Sequence, residues 1–518
     1  MSTIASLAPG PASSAFRPAA IMRETQSASA VWVVSIGSAL ALVALFLAHQ
    51  GTLLRAAVPM VAAAVALTLY LRRPVAYFHF TLWTWFLTPL LRRIIDWRFG
   101  FQDQNLVLLA PFLVTAVAAI TVVREFRQAP RSQLAPYLLC CAGIFYGFSV
   151  GLIRWFLHNS EAESVGSIVY GLFLWLAPLL FGMHLCLRWQ SYEAHRSAIL
   201  ASFKWGVLLL GAYGIYQYVA PPAWDTAWLE GLPGGWETQS FGRPFPYEIR
   251  VWSTLNSPGT FAAMMFPGLV LLLVTKTRIK PLIAAAGSGA FLLSLVRTGW
   301  LAWVLAILLL AVSQRSAVIR RVSLIILLLP VALIPILLVP KFQETIEDRL
   351  VTMTDLNHDA SMNDRKMLYK RVTSELLSDP SGVGLLNGNA FSVDDMPLDS
   401  GFIQTALLLG FAGTAFYMGG IVVCIAGMVR RRPLRAGPAD EFAGAFGVIF
   451  LVTLVELVGS NVFINFFGFT LWIFYGLWSA GKVYAEQADP LPHRTSFAPH
   501  SKVVNTARAL PGEICDEL

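Results

Sequence analysis

The sequence predicts an all-α, polytopic integral membrane protein that crosses the bilayer about 12–14 times. Three observations predict it. The 518-residue chain is 56% hydrophobic and only 13% charged, where a soluble domain has about a quarter of its residues charged. Apolar runs of about 20 residues, the length that crosses hydrocarbon as a helix, follow one another along the chain. The connections between them alternate between short basic segments and neutral, acidic or long ones. The net charge of +8 therefore marks the asymmetry that orients membrane helices, and nucleic-acid binding is excluded as a role.

Residues 1–29 are rich in Ala, Ser and Pro and carry Arg17 and Arg23. They read as a disordered cytoplasmic tail without the cleavage site of a signal peptide. Spans are expected at 30–48, 53–71, 75–91, 105–123, 135–154, 166–188, 203–220, 259–274, 280–296, 298–313, 322–340, 401–428, 442–459 and 461–480. The basic connections are Arg72-Arg73, Arg124 to Arg131, Arg188 to Arg196, Lys276 to Lys280, Arg315 to Arg321 and Arg430 to Arg435. They face the cytoplasm, as do both termini, which is the arrangement of a multi-pass protein in a bacterial inner membrane. Arg92, Arg93 and Arg98 break the rule by falling on the outer side. One bent helix over 280–313 would invert everything after it, and the basic connections at 315–321 and 430–435 argue for two.

Two outward loops are long, 221–258 and 341–400, and loops beyond about 12–15 residues are usually functional or disordered. Trp224, Trp228 and Trp236 in the first read as an interfacial belt. In the second, Ser361 or Asn363 can cap a helix ending before Asp379-Pro380. Arg365, Leu368, Val372 and Leu376 share one face of it. Asp355, Asn357 and Asp359 imitate the start of a calcium loop, but its glycine is missing and Lys366 stands where the bidentate Glu belongs, so no metal site is expected. Cys140, Cys141, Cys186, Cys424 and Cys515 have neither disulfide nor zinc spacing and read as packing residues. There is no Walker motif, and Gly382-Val383-Gly384 is too little of a glycine pattern to hold a nucleotide. No cofactor is expected. Any reaction must draw its energy from a substrate presented in the membrane.

Arg250, Arg297 and Arg365 lie at outward helix ends, where cations are depleted. A membrane-embedded cation usually has a partner or a job. Ion pairing, lipid-headgroup anchoring or snorkelling would explain each one singly. An anionic, lipid-linked substrate would explain all three, since the guanidinium fork binds phosphate bidentately and stays charged. Asp399, at a helix start, is either a general base or an N-cap. Glu456, near the outer end of its helix, can pair with an arginine or bind substrate.

Four blocks carry a resemblance. They are Arg250-Val251-Trp252-Ser253-Thr254-Leu255-Asn256-Ser257-Pro258-Gly259-Thr260-Phe261-Ala262; Ser294-Leu295-Val296-Arg297-Thr298-Gly299-Trp300-Leu301-Ala302; Arg365 with Asp379-Pro380-Ser381-Gly382-Val383-Gly384; and Asp399-Ser400-Gly401-Phe402-Ile403-Gln404 with Gly410 beyond. In this order they resemble the O-antigen ligase and O-antigen or exopolysaccharide polymerase family, over roughly residues 200–430. The resemblance implies a multi-helix glycosyltransferase of the GT-C type that needs no metal. Such an enzyme moves an oligosaccharide from undecaprenyl pyrophosphate to an acceptor glycan on the periplasmic face, beside a flippase and a chain-length regulator. It implies Asp399, Arg250 and Arg365 as catalytic residues, and Arg297, Arg243 and Glu248 as substrate-binding ones. The ligase branch has His where Asp399 stands, which tilts the expectation toward a polymerase. A ligase delivering a finished glycan to a lipid A core or a protein is the alternative. Outside enzymes, a transporter of a small anion with an arginine ring remains. The chain then divides into the tail 1–29, membrane helices 30–200, a catalytic region 201–430, helices 431–481 and a cytoplasmic tail 482–518.

Overall fold

The computed structural model describes residues 18–103, 105–158, 165–232, 241–313, 369–370, 372–374, 376–385, 392–393, 396–397, 400–429 and 438–488. The regular structure within them is helical, apart from a two-residue ribbon pairing β1 (Ser392–Val393) with β2 (Met396–Pro397) and an isolated bridge between Gly242 and Ile249. Helices α1 (Pro18–Leu47), α2 (Gly51–Arg72) and α3 (Pro74–Phe99) run back and forth. A short 3-10 turn leads into α4 (Ala110–Ala116) and α5 (Ala119–Glu125), which make one span bent between them. Helices α6 (Arg131–His158), α7 (Val165–Leu187) and α8 (Tyr192–Val219) follow, then a short α9 (Ala223–Glu230). Helices α10 (Pro258–Val274), α11 (Lys280–Leu293) and α12 (Arg297–Ser313) precede the second long loop. After it come α13 (Gly401–Val429), α14 (Pro438–Val455) and α15 (Asn465–Ala488).

Six of the described helical spans are long and apolar enough to cross a membrane, and the other apolar helices are shorter. Each of the six buries no more than half of its most apolar window, so apolar side chains also cover the outside. On α2, Leu54, Val58, Val65 and Leu69 point inward, while Leu53, Met60 and Leu67 form an exposed stripe at seven-residue spacing. In water such a stripe would aggregate; against lipid it is the solvated face. The chain is an all-α polytopic membrane protein.

Helix α13 lies along α6, α15 along α7, α11 along α8, and α14 along α15. The turns sort to two ends. One end collects the basic connections after α2, α5, α7 and α10. The other collects the segments 100–103, 220–232, 241–257, 294–296, 400 and 456–464, and is here termed the long-loop end.

Three details differ from the sequence reading. Helix α1 begins at Pro18, inside the stretch 1–29 expected to be a disordered tail; a proline is well suited to a helix start. Helix α3 continues to Phe99, so Arg92, Arg93 and Arg98 are helical residues rather than loop cations. Helix α8 begins at Tyr192, eleven residues before the expected 203, because His195, Ile199 and Phe203 form a buried stripe that carries the helix through its polar start. The 280–313 stretch forms two helices, as the basic connections argued: Leu295 takes a left-handed conformation (φ 54°) between them, and α12 packs beside α10 and α14. The expected span 322–340 and the cap at Ser361 or Asn363 lie outside the described residues.

Candidate functional site

The first resemblance block is a rigid turn, and its anchors come from far away in the chain. Arg93 on α3 donates through Nε to Asp225 Oδ1 (2.7 Å) and through its terminal nitrogens to the carbonyls of Ser253 and Leu255. Asp225 Oδ2 also accepts from Tyr213 Oη (2.9 Å) and Gln217 Nε2 (2.6 Å). The Gln217 Oε1 accepts from the backbone amides of Trp252 (3.2 Å) and Ser253 (2.8 Å), which fixes Ser253 in its left-handed conformation (φ 54°). A neighbouring cluster joins Arg55 and Arg92 to Asp96, each at 3.1 Å, with Asn105 Nδ2 at 2.7 Å. The three arginines that violate the positive-inside pattern thus divide: Arg93 is neutralised by Asp225 inside the protein, Arg92 shares the Asp96 carboxylate with Arg55, and Arg98 donates to His49 at the surface. Trp228 packs on Phe241 and Trp252 and is 5% exposed, and Trp224 Nε1 donates to Tyr213 Oη (2.7 Å), so these two are the core of an ordered loop and not a membrane belt. Trp236 lies outside the described residues.

The end of the block closes into α10 by simple helix chemistry. Ser257 accepts from the Thr260 amide (3.1 Å) as N-cap, and Pro258 takes the first helical position, where its missing N–H costs nothing. Its start holds the α11–α12 break. Arg250 donates through Nε to the Ser294 carbonyl and through Nη2 to the Leu295 carbonyl, both at 3.1 Å, and Val251 N donates to Leu293 O (3.1 Å). At least two guanidinium nitrogens of Arg250 therefore hold the turn that ends at Arg297. Arg243 and Glu248 face each other across a hairpin closed by Arg250 N to Phe241 O (2.8 Å); their charged atoms are 3.8 Å apart and Arg243 is exposed.

Arg297 is the first residue of α12 and is partly exposed. Among the described residues its guanidinium has no ion-pair partner. The N-terminus of a 17-residue helix adds positive potential at the same point. Thr298, next to it, lies against Gly459, in the turn between α14 and α15. That turn in turn meets the fourth block: no side chain would fit between Gly401 and the Ser460 carbonyl. Ser400 stands at the N-cap of α13, its Oγ 3.5 Å from the Ile403 amide and its carbonyl 3.0 Å from the Gln404 amide. The capping role weighed for Asp399 belongs to Ser400. Asp399 itself and Arg365 lie outside the described residues, as do Asp355, Asn357 and Asp359. The stripe that Arg365 was read to share is buried at Val372 and Leu376, and Val372 packs on Leu407 of α13.

The third block is built into α13. Gly410 leaves the helical conformation (φ 65°, ψ 178°), which opens the hydrogen bond that Phe411 N would make to Leu407 O. Residues 380–383 occupy the gap: Phe411 N donates to Pro380 O (2.9 Å), and Val383 N donates to Leu407 O (2.7 Å). Leu385 N then donates to Gly147 O on α6 (3.2 Å). Gly382 (φ 79°) and Gly384 (φ 89°) take conformations that other residues avoid, one against Gly410 and the other against Gly151. The approach is pinned by Asp379, which accepts from Ser381 N (3.2 Å), Ser381 Oγ (2.5 Å) and Arg154. The Ser381 hydrogen bonds, followed by the Arg154 guanidinium, hold the Asp379 carboxyl below its ordinary 3.8.

Two polar side chains in the α14–α15 turn stand out. Glu456 Oε2 and Asn461 Nδ2 are both buried and, among the described residues, have no hydrogen-bond partner. Among the described residues no group of three or more His, Cys, Asp or Glu side chains is arranged to hold a metal ion. Sequence reasoning marked Arg93 only as an exception to the charge pattern and did not find Asp225, Arg154, Ser400 or Asn461. Arg93, Asp225 and Arg154 pair across as many as 225 residues, which no local pattern signals, whereas the Ser400 and Asn461 side chains bond within three residues of themselves. The chain matches no family model and no curated protein.

Proposed function

We propose that this chain is a GT-C-like membrane glycosyltransferase that polymerises undecaprenyl-pyrophosphate-linked oligosaccharide repeats into exopolysaccharide or O-antigen on the periplasmic face of the inner membrane. The long-loop end, carrying the loops 221–258 and 341–400, faces the periplasm in this reading. The observation that carries it is convergence: blocks far apart in sequence meet at one end of the bundle. Arg250 holds the turn leading to Arg297, Thr298 lies near Gly459, and Gly401 lies against the Ser460 backbone.

In this reading Asp399 takes the proton of an acceptor hydroxyl. That oxygen attacks the anomeric carbon, the bond from that carbon to the pyrophosphate breaks, and the electron pair leaves on a phosphate oxygen. Arg297 and Arg365 stabilise the developing charge, which fixed cations in a low-dielectric site do well. Arg250 sets the position of Arg297. A transporter would leave the backbone of an interrupted helix open to its cargo. Here the Phe411 amide and the Leu407 carbonyl at the Gly410 kink are taken by the chain itself, which favours the enzyme.

The test is a set of chromosomal variants read by glycan gels and by lipid-linked intermediates. Arg365→Ala and Arg297→Ala should abolish polymer at normal protein abundance, with Lys restoring part of it, since a point charge lacks the bidentate fork. Asp399→Asn should lose turnover by roughly 10²–10⁴-fold. With Ser400 as the cap, that loss cannot be put down to a frayed helix. Accumulated single repeats mark a polymerase; undecorated acceptor beside intact long chains marks a ligase. Full-length polymer from either arginine variant would remove that residue from the mechanism.

A further inference from the structure

The α14–α15 turn has no place in the chemistry above, yet it lies between two parts of that site. Its Gly459 is against Thr298, the neighbour of Arg297, and its Ser460 and Asn461 backbone is against Gly401, two residues from Asp399. The turn is closed by its own backbone, with Gly459 N and Ser460 N both donating to Glu456 O (3.0 Å each). Its two polar side chains are therefore not needed to hold its shape. Asn461 is 7% exposed; its Oδ1 accepts from Phe463 N (3.1 Å), so the unsatisfied side of the amide is the NH₂ donor. Glu456 presents an acceptor, Oε2, that is equally without a partner among the described residues. Among the described residues Glu456 has no cation to pair with. Burying one unpaired donor and one unpaired acceptor in an apolar turn costs free energy that a purely structural turn would avoid.

An unpaired donor and an unpaired acceptor in one turn are the complement of sugar hydroxyls, each of which gives one hydrogen bond and takes another. No cation among the described residues pairs with Glu456, so the turn offers nothing to hold a pyrophosphate. We infer that Glu456 and Asn461 form a subsite for the hydroxyl groups of a saccharide, beside the cationic subsite at Arg297. The inference rests on the glycosyltransferase reading and adds a division of labour: anion at the α12 start, neutral polyol at the α14–α15 turn. Both are positioning and specificity residues, and the proton transfer stays with Asp399.

The experiment uses the purified full-length protein in lipid nanodiscs and dicyclohexylcarbodiimide, which modifies carboxyls sequestered from bulk water. The readout is the mass of the peptide bearing Glu456. The two probes are lipid-linked oligosaccharide extracted from the source cells and undecaprenyl pyrophosphate without sugar, with binding of each measured separately. Glu456 should be modified in the lipid-free protein. Near-saturating oligosaccharide lipid should cut modification about tenfold, and the sugar-free lipid should leave it unchanged. In Asn461→Leu the protection should weaken while the sugar-free lipid still binds. Equal protection by the two lipids overturns the inference, and so does an oligosaccharide lipid that binds without shielding Glu456. If neither lipid binds the wild type, the glycosyltransferase reading falls as well, which separates the two failures.

Discussion

Arg93 and Arg297 sit at the same end of the bundle and differ in their surroundings. Arg93 is surrounded by the Asp225 carboxylate and the carbonyls of Ser253 and Leu255, and is 1% exposed. Arg297 opens a helix, is partly exposed, and has no carboxylate beside it among the described residues. The difference separates two uses of a cation that hydropathy alone cannot. A guanidinium saturated by its own chain is a fastener, and breaking it should unfold the structure. One left open at a helix N-terminus is free for an anion from outside, and its removal should spare the fold. Arg250 falls between the two, clamping two carbonyls while bordering the open region.

The largest effect expected is on the fastener. Arg93→Ala leaves the Asp225 carboxylate buried, a loss of about 3–5 kcal/mol for a broken internal pair. It should appear as lost abundance in membranes and a lowered melting temperature, and Arg93→Met with Asp225→Leu should recover much of it. Arg297→Ala should leave both measurements unchanged and abolish polymer. An unstable Arg297→Ala, or a stable Arg93→Ala, breaks the comparison. Next in size is Gly410→Ala. A side chain there meets the Ser381 carbonyl at a backbone conformation that L residues avoid, with a cost of about 1–3 kcal/mol from the backbone alone. Thermal unfolding followed by tryptophan fluorescence would measure it. The smallest effect is the acid response of Asp379. Its folded pKa is depressed, so its contribution is complete above the ordinary carboxylate range and is lost as pH falls through the lowered value. Proteolysis of the 379–400 segment should be flat from about pH 8 to about pH 5 and rise below about pH 4. Asp379→Asn should abolish that rise.

Where the physics was local, it could be read in the sequence. The alternation of basic and long connections, the Ser257-Pro258 helix start and the buried stripe through Val372 and Leu376 all follow from residues near one another. Where the determinant was distant, the reading failed or stayed open. The end of α3 was placed at 91 because Arg92 and Arg93 look like loop cations until Asp96 and Asp225 are set beside them. The α11–α12 break was expected from the charge of the flanking connections, but what holds the turn, an arginine 44 residues earlier, was not. The glycines at 382 and 384 looked like a failed nucleotide motif; they permit backbone to lie against backbone at Gly410 and Gly151. Asp399 was weighed as a cap because Asp is a good one, and Ser400, one residue on, holds that position instead.

The segment threaded into α13 also bears on how the molecule is made. Helix Gly401–Val429 is laid down after residues 380–385 and enters the bilayer with one rung of its ladder unfilled. Hydrocarbon does not solvate an open carbonyl or amide. The helix is therefore incomplete as an insertion unit until the preceding loop descends about 13 Å, the depth of Gly410 below Gly401 at 1.5 Å per residue, and docks on α6. Assembly must run in two stages, threading first and lacing afterwards. A chain halted between them has every helix across the membrane and a loop still open to proteases, which gives cellular quality control a state to recognise.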